Sequence, residues 1–98
     1  MKFKIPQQFK LGSRTIKVKT VKKCQDSDDK VDGQAIYAKG LVELKETIFP
    51  NQEYADFVFF HELTHHILNH LAYEKLARDE TFVDRFADAL LQAIKTME

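Results

Sequence analysis

The hydrophobic pattern of this chain changes period at Pro50, and that change limits the folds open to it. Before Pro50, apolar and polar residues alternate: Phe9 and Leu11 flank Lys10, and Ile16 and Val18 alternate with Lys17 and Lys19. A period of two marks strands with one face in a core and the other in water. After Pro50 the spacing lengthens to about 3.6, the period of a helix. The pattern therefore predicts an α+β chain, β-rich over residues 1–48 and helical over 51–98, folded as a single domain.

Within the first part, Gly12-Ser13 is a tight turn between two strands, which makes a hairpin. A second hairpin is expected in "AIYAKGLVELK", two short runs broken at Lys39-Gly40. The polar stretch between them, "QDSDDKVDG", is rich in aspartate but is not a calcium loop. Lys30 stands where an EF-hand needs its third ligand, Gly33 is out of place, and no glutamate closes the loop. Two hairpins predict a small antiparallel sheet.

In the second part, Asn51 is placed to cap a helix from about Gln52 to Leu71. Its apolar positions Tyr54, Phe57, Val58, Leu68 and Leu71 share faces with His61 and His65. A break near Ala77 to Asp79 opens a second helix, with Asp79 as its cap and Val83, Ala87, Leu90, Leu91 and Ile94 on one stripe.

Composition narrows the function classes. With 44% hydrophobic residues and eight phenylalanines the chain can bury a core, and 31% charged residues give it a hydrated surface. No run approaches the roughly eighteen apolar residues of a membrane span, and Met1 to Lys10 contains no signal-peptide core. The lone Cys24 has no intramolecular disulfide partner, which suits a reducing compartment. A cytoplasmic protein is expected. The net charge of zero conceals an asymmetry, since residues 1–48 carry 11 basic against 6 acidic residues and residues 49–98 carry 4 against 9. The lysines alternate with apolar residues as on the solvent face of a strand, so no direct nucleic-acid contact is expected. The acidic half suits a cation site.

All four histidines fall within "HELTHHILNH", residues 61 to 70. His61, Glu62 and His65 spell H-E-x-x-H, and on a helix positions i and i+4 project to one side, about 6 Å apart along the axis. Two neutral imidazoles so placed can hold one zinc ion, and Glu62 beside them can act as general base toward a metal-bound water. Three fixed residues match by chance in about one chain in eighty of this size, so the motif needs a further donor to carry weight. His66 and His70 share the same spacing but point roughly 100° or more away, which makes them structural or places them behind the ligands.

A catalytic zinc takes three protein ligands and keeps a fourth position open. Glu74 would lie about 13 Å along the axis from His65 if the helix continued. Glu80 fits better, because the chain can reverse after Leu71 and present it at the start of the second helix. Asp84, four residues on, shares its face and can accept the N–H of a zinc-bound imidazole.

"FFHELTHHILNH" followed by "ETFVDRFADALL" resembles the ImmA/IrrE family of zinc metallopeptidases, and "IPQQFKLGSRTIKV" is similar to the opening of its small phage-type members. The resemblance is strong over residues 57–91. It implies a minimal zincin-like fold with one zinc per chain, His61, His65 and Glu80 as ligands, and Glu62 as catalytic base. It also implies that the strand near Leu41 to Lys45 forms the sheet edge above the metal, where an extended peptide could add. The partner it implies is a protein substrate, of the kind a helix-turn-helix repressor represents. Tyr37, Tyr73, His70 and Arg85 stand as alternatives for stabilising an oxyanion. Val83 departs from the family pattern, which has a small residue there.

Two other readings compete. A metal-binding interaction or regulatory module would keep the ligands and cleave nothing, although it has no need of Glu62. A deformylase-like hydrolase would recruit Cys24 as a ligand.

Overall fold

The computed structural model describes residues 3–25 and 31–97. Strands β1 (Gln8–Leu11), β2 (Arg14–Val21), β3 (Gly33–Ile36) and β4 (Leu41–Lys45) precede helices α1 (Gln52–His70), α2 (Glu74–Ala77) and α3 (Glu80–Thr96). The class is α+β. Most of the stretch weighed as a calcium loop, residues 26–30, lies outside the described residues.

Both expected hairpins form, β1 antiparallel to β2 and β3 antiparallel to β4. The sheet is nevertheless mixed, not antiparallel, because β2 pairs with β4 in parallel and the strand order is β1-β2-β4-β3. A parallel neighbour requires a crossover connection, and the segment after β2 supplies it. Part of that segment lies against the outer face of the sheet, where Gln25 donates from its backbone N and its Nε2 to the carboxylate of buried Glu43, at 2.8 and 3.0 Å. This topology moves β4 to the interior and makes β3 the edge, which corrects the expectation that residues 41–45 form the rim above the metal.

Register sorts the side chains. Phe9, Ile16, Val18, Val42 and Leu44 share the face toward α1, whereas Lys17 and Lys19 face outward beside Leu41 and Glu43. The lysine alternation is thus the solvent face of a half-buried strand. Helix α1 begins where Asn51 accepts the N–H of Tyr54, and it buries Ala55, Val58, Phe59, Phe60 and Leu68. Phe59 and Phe60 form an aromatic cluster with Phe3 and Phe9. Phe59 and Phe60, nearly fully buried, each contribute roughly 1.5–3 kcal/mol by burial. The expected apolar face is corrected here, since Tyr54 and Leu71 are 40% and 53% exposed. The sheet takes the Phe59–Phe60 side of the helix.

Helix α3 runs antiparallel to α1. Val83, Ala87 and Leu91 are buried, with Leu90 and Ile94 packed beside them, as the stripe predicted. At the far end from the histidines, Lys95 Nζ reaches Asp56 Oδ2 at 3.0 Å, and Gln52 Nε2 donates to Asp56 Oδ1 at 2.7 Å. Asp56 is nearly fully buried, so these two donors replace the water it lost.

The reversal between α1 and α3 is local chemistry. Tyr73 N–H bonds to Leu68 C=O and Ala72 N–H to Asn69 C=O, the paired bonds that close a helix through a left-handed residue. That residue is Ala72, at φ 65°. The left-handed region costs a non-glycine residue roughly 1–2 kcal/mol. Ala72→Gly should therefore raise stability by about 0.5–1 kcal/mol after glycine's unfolded-state entropy is charged against it. Urea unfolding at unchanged m value would show this, and an equal or lower midpoint would contradict it.

Candidate metal centre

The reversal brings the start of α3 over the middle of α1. Asp79 caps α3 by accepting the N–H of Phe82 at 3.1 Å, which puts Glu80 in the first turn. Glu80 Oε2 lies 3.0 Å from His61 Nε2, and Glu80 Oε1 lies 3.3 Å from His65 Nε2. The two Nε2 atoms are 3.2 Å apart. Ligands about 2.0–2.1 Å from a tetrahedral zinc stand about 3.3 Å from one another. The three donors already have that spacing.

Their protons support the same fit. His61 Nδ1–H donates to Asp84 Oδ1 at 2.7 Å, and His65 donates to the backbone carbonyl of Ala77 at the end of α2. With those protons turned outward, the atoms that face one another are two imidazole lone pairs and a carboxylate. A proton or a metal cation among them would relieve that convergence. Burial lowers the pKa of His65, and His61 beside it lowers it further while Glu80 opposes, so the balance favours the neutral ring that metals bind.

Glu62 lies under the sheet edge. Lys45 N–H donates to Asp32 C=O, so the bonded pairs of the β3–β4 ladder fall at Asp32, Gln34 and Ile36, and Ala35 points its N–H away from β4. The Glu62 carboxylate accepts a hydrogen bond from that backbone. Burial chiefly, then the negative charges of Glu80 and Asp84, hold its pKa up at about 8 against the pull of this bond. A divalent charge at the three donors would favour the carboxylate form.

Gly33 makes the approach of β3 possible. A Cβ there would stand 2.5 Å from Val58 Cγ1 and 3.1 Å from Glu62 Oε2. The sequence signal is weak: Gly33 is one of three glycines in the chain, and nothing local marks it as a contact for a helix. Ala77, which acts through its backbone, left no signal at all.

The other expected residues disperse. His66 is fully buried and donates from Nε2 to Leu41 C=O at 2.8 Å, tying α1 to β4, so it is structural. His70, expected behind the ligands, instead faces the β1–β2 turn, where its ring edge lies 3.3 Å from the position of a Cβ on Gly12. The helix rotates it by five residues from His65, about 140°. Tyr37 packs on His66 and under Arg14, and Tyr73 is an exposed residue before α2. Of the four oxyanion alternatives, Arg85 borders an opening shared with Asp84. Cys24 is buried and is not a member of the three-donor group, which disfavours the deformylase reading.

Two cavities flank the donors and share His61, Glu62 and Gly33: one of about 430 Å³ toward His65 and Asn69, the other of about 250 Å³ toward Phe57 and Tyr54. The group is therefore reachable from both sides along β3. No family model, curated protein or solved structure matches the chain.

The tightness at Gly33 is testable. Gly33→Ala should cost about 2 kcal/mol of stability by forcing β3 off α1, with the histidines left in place. Denaturant unfolding reads the first effect and zinc stoichiometry the second. A variant as stable as the parent would show that β3 does not need this close contact.

Proposed function

We propose that this chain is a zinc-dependent endopeptidase that hydrolyses a peptide bond in a protein partner. The observation that carries the reading is the convergence of His61, His65 and Glu80 at 3.0–3.3 Å beside the buried carboxylate of Glu62. Zinc bound there supplies a Lewis acid for the scissile carbonyl and acidifies its bound water.

The chain's own residues supply the rest. An extended substrate laid along edge strand β3 would bond to the backbone of Gly33 and the carbonyl of Ala35, with its side chains entering the two flanking cavities. Glu62, oriented by Ala35, takes the proton of the attacking water and passes it to the leaving amine. Asp84 and the Ala77 carbonyl keep the two imidazoles in the tautomer that presents Nε2. A module that only binds metal would have no use for a buried carboxylate beside the three donors.

The motifs resemble those of the ImmA/IrrE peptidases, so a transcriptional repressor is the partner we favour, in the cytoplasm. Among the described residues no helix is long and apolar enough to cross a membrane.

Glu62→Gln separates binding from chemistry. The variant should keep its zinc and lose about 10²–10⁴-fold of its rate on a mixture of quenched-fluorescent peptides. Unchanged cleavage by a zinc-loaded variant would refute the assignment of Glu62 as base.

A further inference from the structure

The cleft continues past the donors. On the Phe57 side of Glu62, the cavity of about 250 Å³ has apolar walls, Val31 on the strand side and Phe57 and Val58 on α1. Its polar lining includes Asp32, which accepts the Tyr54 hydroxyl at Oδ2, and Asp84 on the α3 side. Among the described residues, no lysine or arginine lines it. Farther out, across Tyr54 and Phe57, lies a more open region lined by Asp84, Arg85 and Asp88. Among the described residues, the outer region mixes charges and the inner one is lined by Asp32, Asp84, Glu62 and His61.

We propose that the inner cavity is a specificity pocket for a lysine or arginine side chain next to the bond that is cut, with Asp32 meeting the cationic head and Phe57 and Val58 the aliphatic stem. This rests on the peptidase reading and adds a substrate class to it. A slot with apolar walls and a carboxylate complements a side chain that has an apolar stem and a charged tip. An acidic side chain would meet Asp32 and Asp84 as like charges. An aliphatic one would fill the walls and strip water from Asp32 without replacing it. The Tyr54 hydroxyl fixes one oxygen of Asp32, so the carboxylate is oriented before a substrate arrives.

The test is a binding comparison that needs no turnover. N-acetyl-lysine hydroxamate and N-acetyl-norleucine hydroxamate share a zinc-binding group and differ at the end of the side chain. By calorimetry on zinc-loaded protein the lysine compound should bind about tenfold more tightly, and in Asp32→Asn, which keeps an acceptor for Tyr54, the ratio should fall below about threefold. Equal affinities in the parent, or a preference that survives Asp32→Asn, would overturn the pocket and leave the peptidase reading standing. Binding of neither compound to zinc-loaded protein would overturn both, because no open metal position would then face the cavity.

Discussion

The antiparallel packing of α3 against α1 is the constraint on which the rest of the structure depends. Two contacts fix it from opposite ends: the buried Asp56 carboxylate with Lys95, and the His61–His65 pair with Glu80 and Asp84. Val83, Ala87 and Leu91 fill the space between. Because the apolar stripe of α3 and its polar first turn belong to one rigid helix, burying the stripe also places Glu80. The third donor is thus delivered by the same packing that stabilises the fold.

Helix α1 serves two surfaces at once. Its Phe59, Phe60 and His66 side packs on the sheet, while His61 and His65 face α3. Glu62 falls between these surfaces, under the edge of β3, and the neighbours that raise its pKa are also the ones that shape the cleft. Dehydration there strengthens every charge interaction. Desolvating Glu62 beside Glu80 and Asp84 costs stability in the metal-free protein, and a bound divalent cation would offset that cost.

Much of this was legible in the sequence, and what was not has physical reasons. Asn51, Asp79 and the Val83–Leu91 stripe marked both long helices because caps and periodicity are local signals. The spacing of His61, His65, Glu80 and Asp84 was readable for a similar reason, as one helical turn sets each pair. The identity of the edge strand was not legible. Alternation in Ile16–Val18 and in 41–45 shows that strands exist, but pairing across the 22–32 connection is a non-local choice. The buried face of α1 is not legible either, because apolar residues surround the helix and only the sheet's position selects Phe59 and Phe60 over Tyr54 and Leu71. Ala35 and Ala77 act through backbone groups, which residue identity does not reveal.

The most direct test of the central claim, that the fold prepares a three-donor metal site in advance, is a zinc titration of metal-free protein in competition with a chromophoric chelator, followed in parallel by far-ultraviolet circular dichroism. The account predicts one zinc per chain, an unchanged helical signal on binding, and an affinity at least about 100-fold weaker in Glu80→Ala. Failure to take up zinc, equal uptake by Glu80→Ala, or binding accompanied by a large gain of helix would contradict it.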